Sequence, residues 1–189
     1  REILSSLPKM NVFEVSRSTK RGQYEGYLQE KGVENNSQTE TYFSIHMFLQ
    51  NKRWKGVPVF LESGKKMVDD SAEVVVTFRH MSPCLCPQGS SHYKNVLRYQ
   101  IQPQERISIS FWVKKPGSEI AIEEKNFTFD YREAFKEQEF TEAYEKLLLS
   151  CIKGDQTLFV GTEEIMASWR FIDSILKAWK ENAVKLATY

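Results

Sequence analysis

Lys65 is the side chain whose neighbours point most directly to ligand chemistry. It follows Ser63-Gly64, at the end of the apolar run Val57-Pro58-Val59-Phe60-Leu61. A glycine lets backbone come close to a bound group, and an ammonium is a compact point charge. A lysine just past a strand end is therefore placed to meet an anion, although the same pattern also serves a solvated lysine in a turn. Two other groupings invite chemistry. His80, Cys84, Cys86 and His92 put metal-ligand types in one loop. Their spacing is not that of the usual zinc pairs, and cysteines one residue apart close a tetrahedral site poorly. The segment reads as a surface loop, and no metal is expected. His46 alternates with Ile45 and Met47 and reads as a sheet-face residue rather than a general base. No Gly-x-Gly-x-x-Gly or P-loop pattern occurs, so the chain encodes no dinucleotide turn. No Ser/His/Asp or Cys/His set stands in a context for nucleophilic catalysis.

The elements that must hold Lys65 follow from periodicity. The polar turn Asn51-Lys52-Arg53-Trp54-Lys55 leads to Gly56, where the chain can bend. Pro58 lacks an N–H and suits the first residue of a strand or a sheet edge. Upstream, Phe43, Ile45, Met47 and Leu49 alternate with Tyr42, Ser44, His46 and Phe48, a strand with apolar groups on both faces. Residues 72–79 repeat the period, with Val74, Val76 and Phe78 on the half-buried side. Strands over 96–102 and 106–114 flank Pro103-Gln104-Glu105, the connection of an antiparallel hairpin. Phe127, Phe129 and Tyr131 mark one more short strand. The period then lengthens to that of a helix. Thr141 is a good N-cap for a stripe of Tyr144, Leu147, Leu148, Cys151 and Ile152, stopped at Gly154. A second helix starts at Thr162 and buries Ile165, Trp169, Ile172, Leu176 and Trp179.

Strands first and helices last, without βαβ alternation, predict an α+β fold, a predominantly antiparallel sheet with C-terminal helices packed on one face. The expected organisation is a single domain over 1–189. It comprises a helix tail at 1–7, an irregular connection at 11–37, the sheet at 39–131 and helices at 141–181, then a frayed tail beyond Asn182. The 189 residues suffice for a real core, and 26 basic against 25 acidic residues leave no footprint for nucleic acid. No apolar run is long enough for a membrane span, and no secretory signal opens the chain. Three cysteines, an odd and low count, suit a reducing, cytoplasmic compartment. The chain opens without methionine inside the patterned Arg1-Glu2-Ile3-Leu4, as a fragment of a longer protein would.

The order of motifs carries more than composition does. Arg21-Gly22-Gln23-Tyr24 precedes Glu30-Lys31-Gly32-Val33 and Ser37-Gln38-Thr39-Glu40-Thr41. Then come Asn51–Lys65, Asn95-Val96-Leu97 with Ile101-Gln102-Pro103, and Lys114-Lys115-Pro116-Gly117. Glu142-Ala143-Tyr144-Glu145 with Leu147-Leu148-Leu149, Gly154-Asp155-Gln156-Thr157-Leu158-Phe159 and Ala167-Ser168-Trp169 close the series. In this order they resemble the C-terminal part of glucose-6-phosphate dehydrogenase, from about Leu4 to Trp179.

The resemblance implies an α+β domain that follows a nucleotide-binding domain lying before Arg1. It implies oxidation of glucose 6-phosphate to 6-phosphogluconolactone, in the pentose phosphate pathway, with the hydride passing to NADP, or NAD in some members. The catalytic histidine and the NADP site would belong to the missing part, so this chain alone is expected to be inactive and to hold no catalytic residue. Family dimers meet through the sheet, which implies a homodimer or a dimer of dimers. By the same resemblance Lys65 reaches the sugar phosphate, and Gln102 lies near it. Departures are also visible. Asp70, preceded by Asp69, stands where many members carry a second cation, and Lys66 is the nearby cation that could offset the pair. Glu62 stands where an arginine is common. Glu62, Ser71, Gln100, Ser108 and Ser110 occupy the positions through which some members hold a structural NADP, so none is expected here. These departures also fit an alternative, a diverged non-catalytic homologue kept as an oligomerisation or regulatory module.

Overall fold

Backbone pairing sorts the strands into two four-stranded sheets, each in a separate unit. The computed structural model describes residues 2–80, 93–136 and 143–189. The first unit comprises Arg1–Met67 and Thr141–Tyr189, and the second Val68–Phe140. The expected α+β class with predominantly antiparallel pairing holds.

In the first unit, α1 (Glu2–Ser5) and α2 (Val12–Ser18) precede β1 (Thr19–Gln23). Asn11 starts α2 by a reciprocal cap. Its Oδ1 accepts from the Glu14 N–H at 3.0 Å, and Glu14 Oε2 accepts from the Asn11 N–H at 2.8 Å. β2 (Tyr42–Phe48) pairs antiparallel with β1 and with β3 (Pro58–Gly64). Pro58 opens β3, which is an edge strand, as its missing donor requires. Gly56, at φ 75°, supplies the turn before it. Ile45, Met47 and Leu49 face the core, where Val15 and the helix α5 (Thr162–Lys180) meet them. From α5 the buried set is Ala167, Phe171, Ile175, Ala178 and Trp179. The Trp179 indole donates to Thr19 Oγ1 at 2.9 Å, so the buried N–H is satisfied on β1. On the opposite sheet face His46 stacks on Phe60 at 4.5 Å, while Phe48 and Phe60 stay exposed.

The second unit is a meander. β4 (Ala72–Thr77), β5 (Val96–Gln102), β6 (Arg106–Lys114) and β7 (Ile122–Asp130) pair in chain order, all antiparallel. Register puts Val74, Tyr99, Ile107 and Phe129 in one cross-strand row and Val76, Leu97, Ile109 and Phe127 in another. Asp130 ends β7 and caps α3 (Tyr131–Ala134), accepting from the Arg132 and Glu133 N–H groups.

Four local expectations need correction. Residues 12–23 of the presumed irregular connection form α2 and β1. The capping pair and the edge of β2 organise a polar stretch that carries little hydrophobic period of its own. Tyr131 starts α3 and does not end a strand, because Asp130 caps there, and β7 is nine residues long. Along α5 the buried stripe is displaced. Ile165 and Trp169 are exposed and Phe171 and Ile175 are buried, since apolar residues lie on both sides of this helix. The tail does not fray: β8 (Leu186–Thr188) pairs parallel with β1. The stripe of α4 (Ala143–Lys153) is exposed at Tyr144, Leu148 and Ile152. Cys84, Cys86, His92 and the cap Thr141 lie outside the described residues.

Candidate anion-binding site around Lys65

Lys65 follows directly on β3, and its backbone is held on both sides. Its N–H donates to the Thr41 carbonyl at 2.8 Å, and its carbonyl accepts from the Tyr189 hydroxyl at 2.8 Å. Gly64 packs without a side chain. A Cβ there would lie 2.7 Å from Met67 Sδ and 3.0 Å from the Tyr42 ring. Lys66 then turns the chain at φ 50°, a left-handed conformation that non-glycine residues seldom adopt. The glycine of the sequence pattern therefore admits the Tyr42 ring and Met67, and the bend itself falls on Lys66.

The two adjacent lysines differ electrostatically. Lys66 Nζ pairs with Glu30 Oε1 at 3.0 Å and lies 4.1 Å from the centroid of the Tyr24 ring. The Tyr24 hydroxyl donates to the same carboxylate at 3.1 Å. The hydrogen bond to Lys66, and then that from Tyr24, hold the Glu30 carboxyl below the usual carboxylate range. The reciprocal bond lifts Lys66 above the usual lysine value. Lys66 is thus engaged by Glu30. Lys65 is exposed, and its ammonium has no ion pair or hydrogen bond with any other described residue. An unpaired ammonium on a tethered backbone can attract an anion, whereas Lys66 must first leave its carboxylate.

Glu62, the neighbouring departure, accepts from the Tyr42 hydroxyl at 2.7 Å. That bond, more than burial, raises the Tyr42 phenol above its ordinary value. Gln102, the other sequence candidate, closes β5 opposite Ala72 and precedes a cis peptide bond to Pro103. Its side chain is exposed. Lys65 belongs to the first unit and Gln102 to the second. Among the described residues no group of three or more His, Cys, Asp or Glu is placed to hold a metal. No helix among them is long and apolar enough to cross a membrane.

Sequence reasoning missed the residues that hold Lys65. Tyr189 reaches it because β8 adds to β1, a parallel pairing across the whole unit. The available signal was the short run Val184–Tyr189, which ends in the β-formers Thr188 and Tyr189.

Comparison with known proteins bears on what this site serves. Residues 1–189 match the family described as glucose-6-phosphate dehydrogenase, C-terminal domain. The glucose-6-phosphate 1-dehydrogenase of Borreliella burgdorferi is 36% identical over 190 residues, covering 95% of this chain and 40% of that protein. That of Treponema pallidum is 34% identical over 201 residues, covering 100% of this chain and 39% of the relative. A solved glucose-6-phosphate dehydrogenase in complex with its substrate glucose-6-phosphate superimposes with a TM-score of 0.85 at 25% identity. It is covered over 39% of its length, and this chain over 100%. The Mycobacterium avium enzyme shares the fold, at a TM-score of 0.77 and 24% identity, over 100% of this chain and 38% of that one. The chain thus spans about 40% of the length of the curated relatives it matches.

Proposed function

The chain belongs to the family of glucose-6-phosphate dehydrogenase C-terminal domains, and from that premise we propose that it is the C-terminal portion of such a dehydrogenase. The complete protein oxidises C1 of glucose 6-phosphate to 6-phosphogluconolactone with NADP, in the cytoplasmic pentose phosphate pathway. This chain contributes residues to the sugar-phosphate pocket, Lys65 and, by the family resemblance, Gln102, and a sheet face for homodimerisation. NADP would accept the hydride, while a base removes the C1 hydroxyl proton. Both tasks belong to residues outside this chain, which carries no Gly-rich phosphate turn.

One observation carries the reading. Lys65 presents an exposed ammonium, unpaired among the described residues, from a strand end whose backbone is tied at its N–H and its carbonyl. A charged hydrogen bond to a phosphate or sugar oxygen is worth about 1.5–3 kcal/mol. In the full-length protein, Lys65→Ala should therefore raise KM for glucose 6-phosphate about 10- to 100-fold and leave the nucleotide KM nearly unchanged. An unchanged sugar KM would refute the assignment.

The second reading is a non-catalytic homologue that retains only the assembly role. It is favoured by Asp69 and Asp70, which stand where many members of the family carry a second cation. Turnover of glucose 6-phosphate by the full-length protein separates the two readings. For dimerisation, the exposed aromatic pair Phe48 and Phe60 offers apolar surface on β2 and β3.

A further inference from the structure

We propose that Tyr189 is a positioning residue for Lys65, a hydroxyl latch that fixes where the ammonium is presented. The inference rests on the reading of Lys65 as a substrate contact. The hydrogen-bond geometry at the hydroxyl carries it. The Tyr189 hydroxyl lies 2.8 Å from the Lys65 carbonyl, nearer than the Thr41 carbonyl and Thr41 Oγ1, both at 3.1 Å. A hydroxyl has one hydrogen to give and two lone pairs to receive. Donation to Lys65 and acceptance from Thr41 Oγ1 use it consistently, with Thr41 Oγ1 accepting from the Tyr24 N–H at 2.9 Å.

The latch is itself anchored. The Tyr189 N–H donates to the Gln23 carbonyl at 3.0 Å, and the Tyr189 carbonyl accepts from the Glu25 N–H at 2.8 Å. Its ring sits against Gly22, where an added Cβ would come within 3.0 Å of Cδ1, and 5.4 Å from the Tyr42 ring. The hydroxyl is thus delivered from β1 to the carbonyl of the residue that follows β3, two strands away. Thr41 fixes the Lys65 N–H and Tyr189 fixes its carbonyl, so the peptides on either side of its Cα are both held. Releasing one lets the Cα, and the ammonium it carries, sample positions that miss the phosphate. The loss falls on sugar binding, because the orientation of Lys65 has no bearing on the nucleotide.

The test measures steady-state kinetics of the full-length protein as wild type, Tyr189→Phe, Lys65→Ala and the double variant, with thermal melting of each. Tyr189→Phe keeps the ring in its seat and removes only the hydroxyl. Loss of one backbone hydrogen bond predicts a rise of about three- to tenfold in KM for glucose 6-phosphate. The nucleotide KM stays unchanged, and the double variant is no worse than Lys65→Ala alone. Should Lys65→Ala raise the sugar KM while Tyr189→Phe does not, the latch is wrong and the lysine assignment survives. Unchanged kinetics in Lys65→Ala overturns the lysine reading and the latch with it. A Tyr189→Phe protein that raises both KM values together and melts early marks Tyr189 as merely structural and overturns the proposal. If Tyr189→Phe yields no folded protein, Gly22→Ala displaces the ring while keeping the hydroxyl. A rise confined to the sugar KM then supports the latch, and any other result rejects it.

Discussion

Replacing Arg21 with alanine should be the costliest single polar change in the first unit. Arg21 is 4% exposed and spends its guanidinium on two elements. Nε donates to the Val184 carbonyl at 2.8 Å, in the segment that leads into β8, and Nη1 pairs with Glu40 at 2.8 Å. Nη2 reaches Asn182 Oδ1 at 3.4 Å, long enough to count for little. Charged hydrogen bonds are worth about 1.5–3 kcal/mol each, and breaking a buried pair costs about 3–5 kcal/mol. The Glu40 side chain keeps 21% exposure and regains part of its hydration, so the lower end of that range, about 3 kcal/mol, applies. For a chain of this size that corresponds to a fall of about 6–12 °C in melting temperature. Urea unfolding followed by tryptophan fluorescence reads it, because Trp179 is buried in the same unit. Arg21→Lys restores one charged contact at most and should lose about half as much. The reasoning fails if Arg21→Ala stays within about 1 kcal/mol of wild type, or if the lysine variant is equally destabilised.

Two further outcomes follow from packing and charge. Ile175 is 1% exposed at the centre of the first core, so Ile175→Ala should cost about 2–5 kcal/mol by the same unfolding assay. A cost under about 1 kcal/mol would mean that α5 does not seal that core. Glu30 has a depressed pKa in the folded state, so its stabilising contribution is present above the ordinary carboxylate value and is lost as pH falls through the folded one. Stability against urea, followed downward from about pH 6, should fall more steeply in wild type than in Glu30→Gln below the usual carboxylate range. Parallel curves would show that the Lys66 contact adds nothing in solution.

The legible parts of the fold were those fixed by local chemistry. The hairpin over 96–102 and 106–114 has the strand limits expected from its alternation and its Pro103 turn. Pro58 and Gly56 gave away the start of β3, because one lacks a donor and the other stands where φ is positive. What stayed hidden was set by distant partners. β1 contains Lys20, Arg21 and Gly22, poor strand formers by themselves, and is a strand because β2 and β8 flank it. The α5 stripe is ambiguous in sequence because Ile165 and Trp169 offer as good an apolar face as Phe171 and Ile175, and only the position of the sheet decides between them. Lys65 was readable as a cation after a strand. Its distinction from Lys66 depended on Glu30, thirty-five positions upstream, and on Tyr189 at the far end of the unit.

The parallel pairing of β8 with β1 has a consequence for synthesis. Arg21 waits for a carbonyl 163 residues later, whereas every ladder of the meander joins neighbours in the chain. As the polypeptide leaves the ribosome, the meander can zip as it emerges, since its loop-closure cost is small. The earlier half of the first sheet meanwhile stands with β1 as a bare edge and with Ile45 and Met47 uncovered. That interval, ended only when α5 and β8 arrive, is when its apolar face and bare strand edge are most open to aggregation.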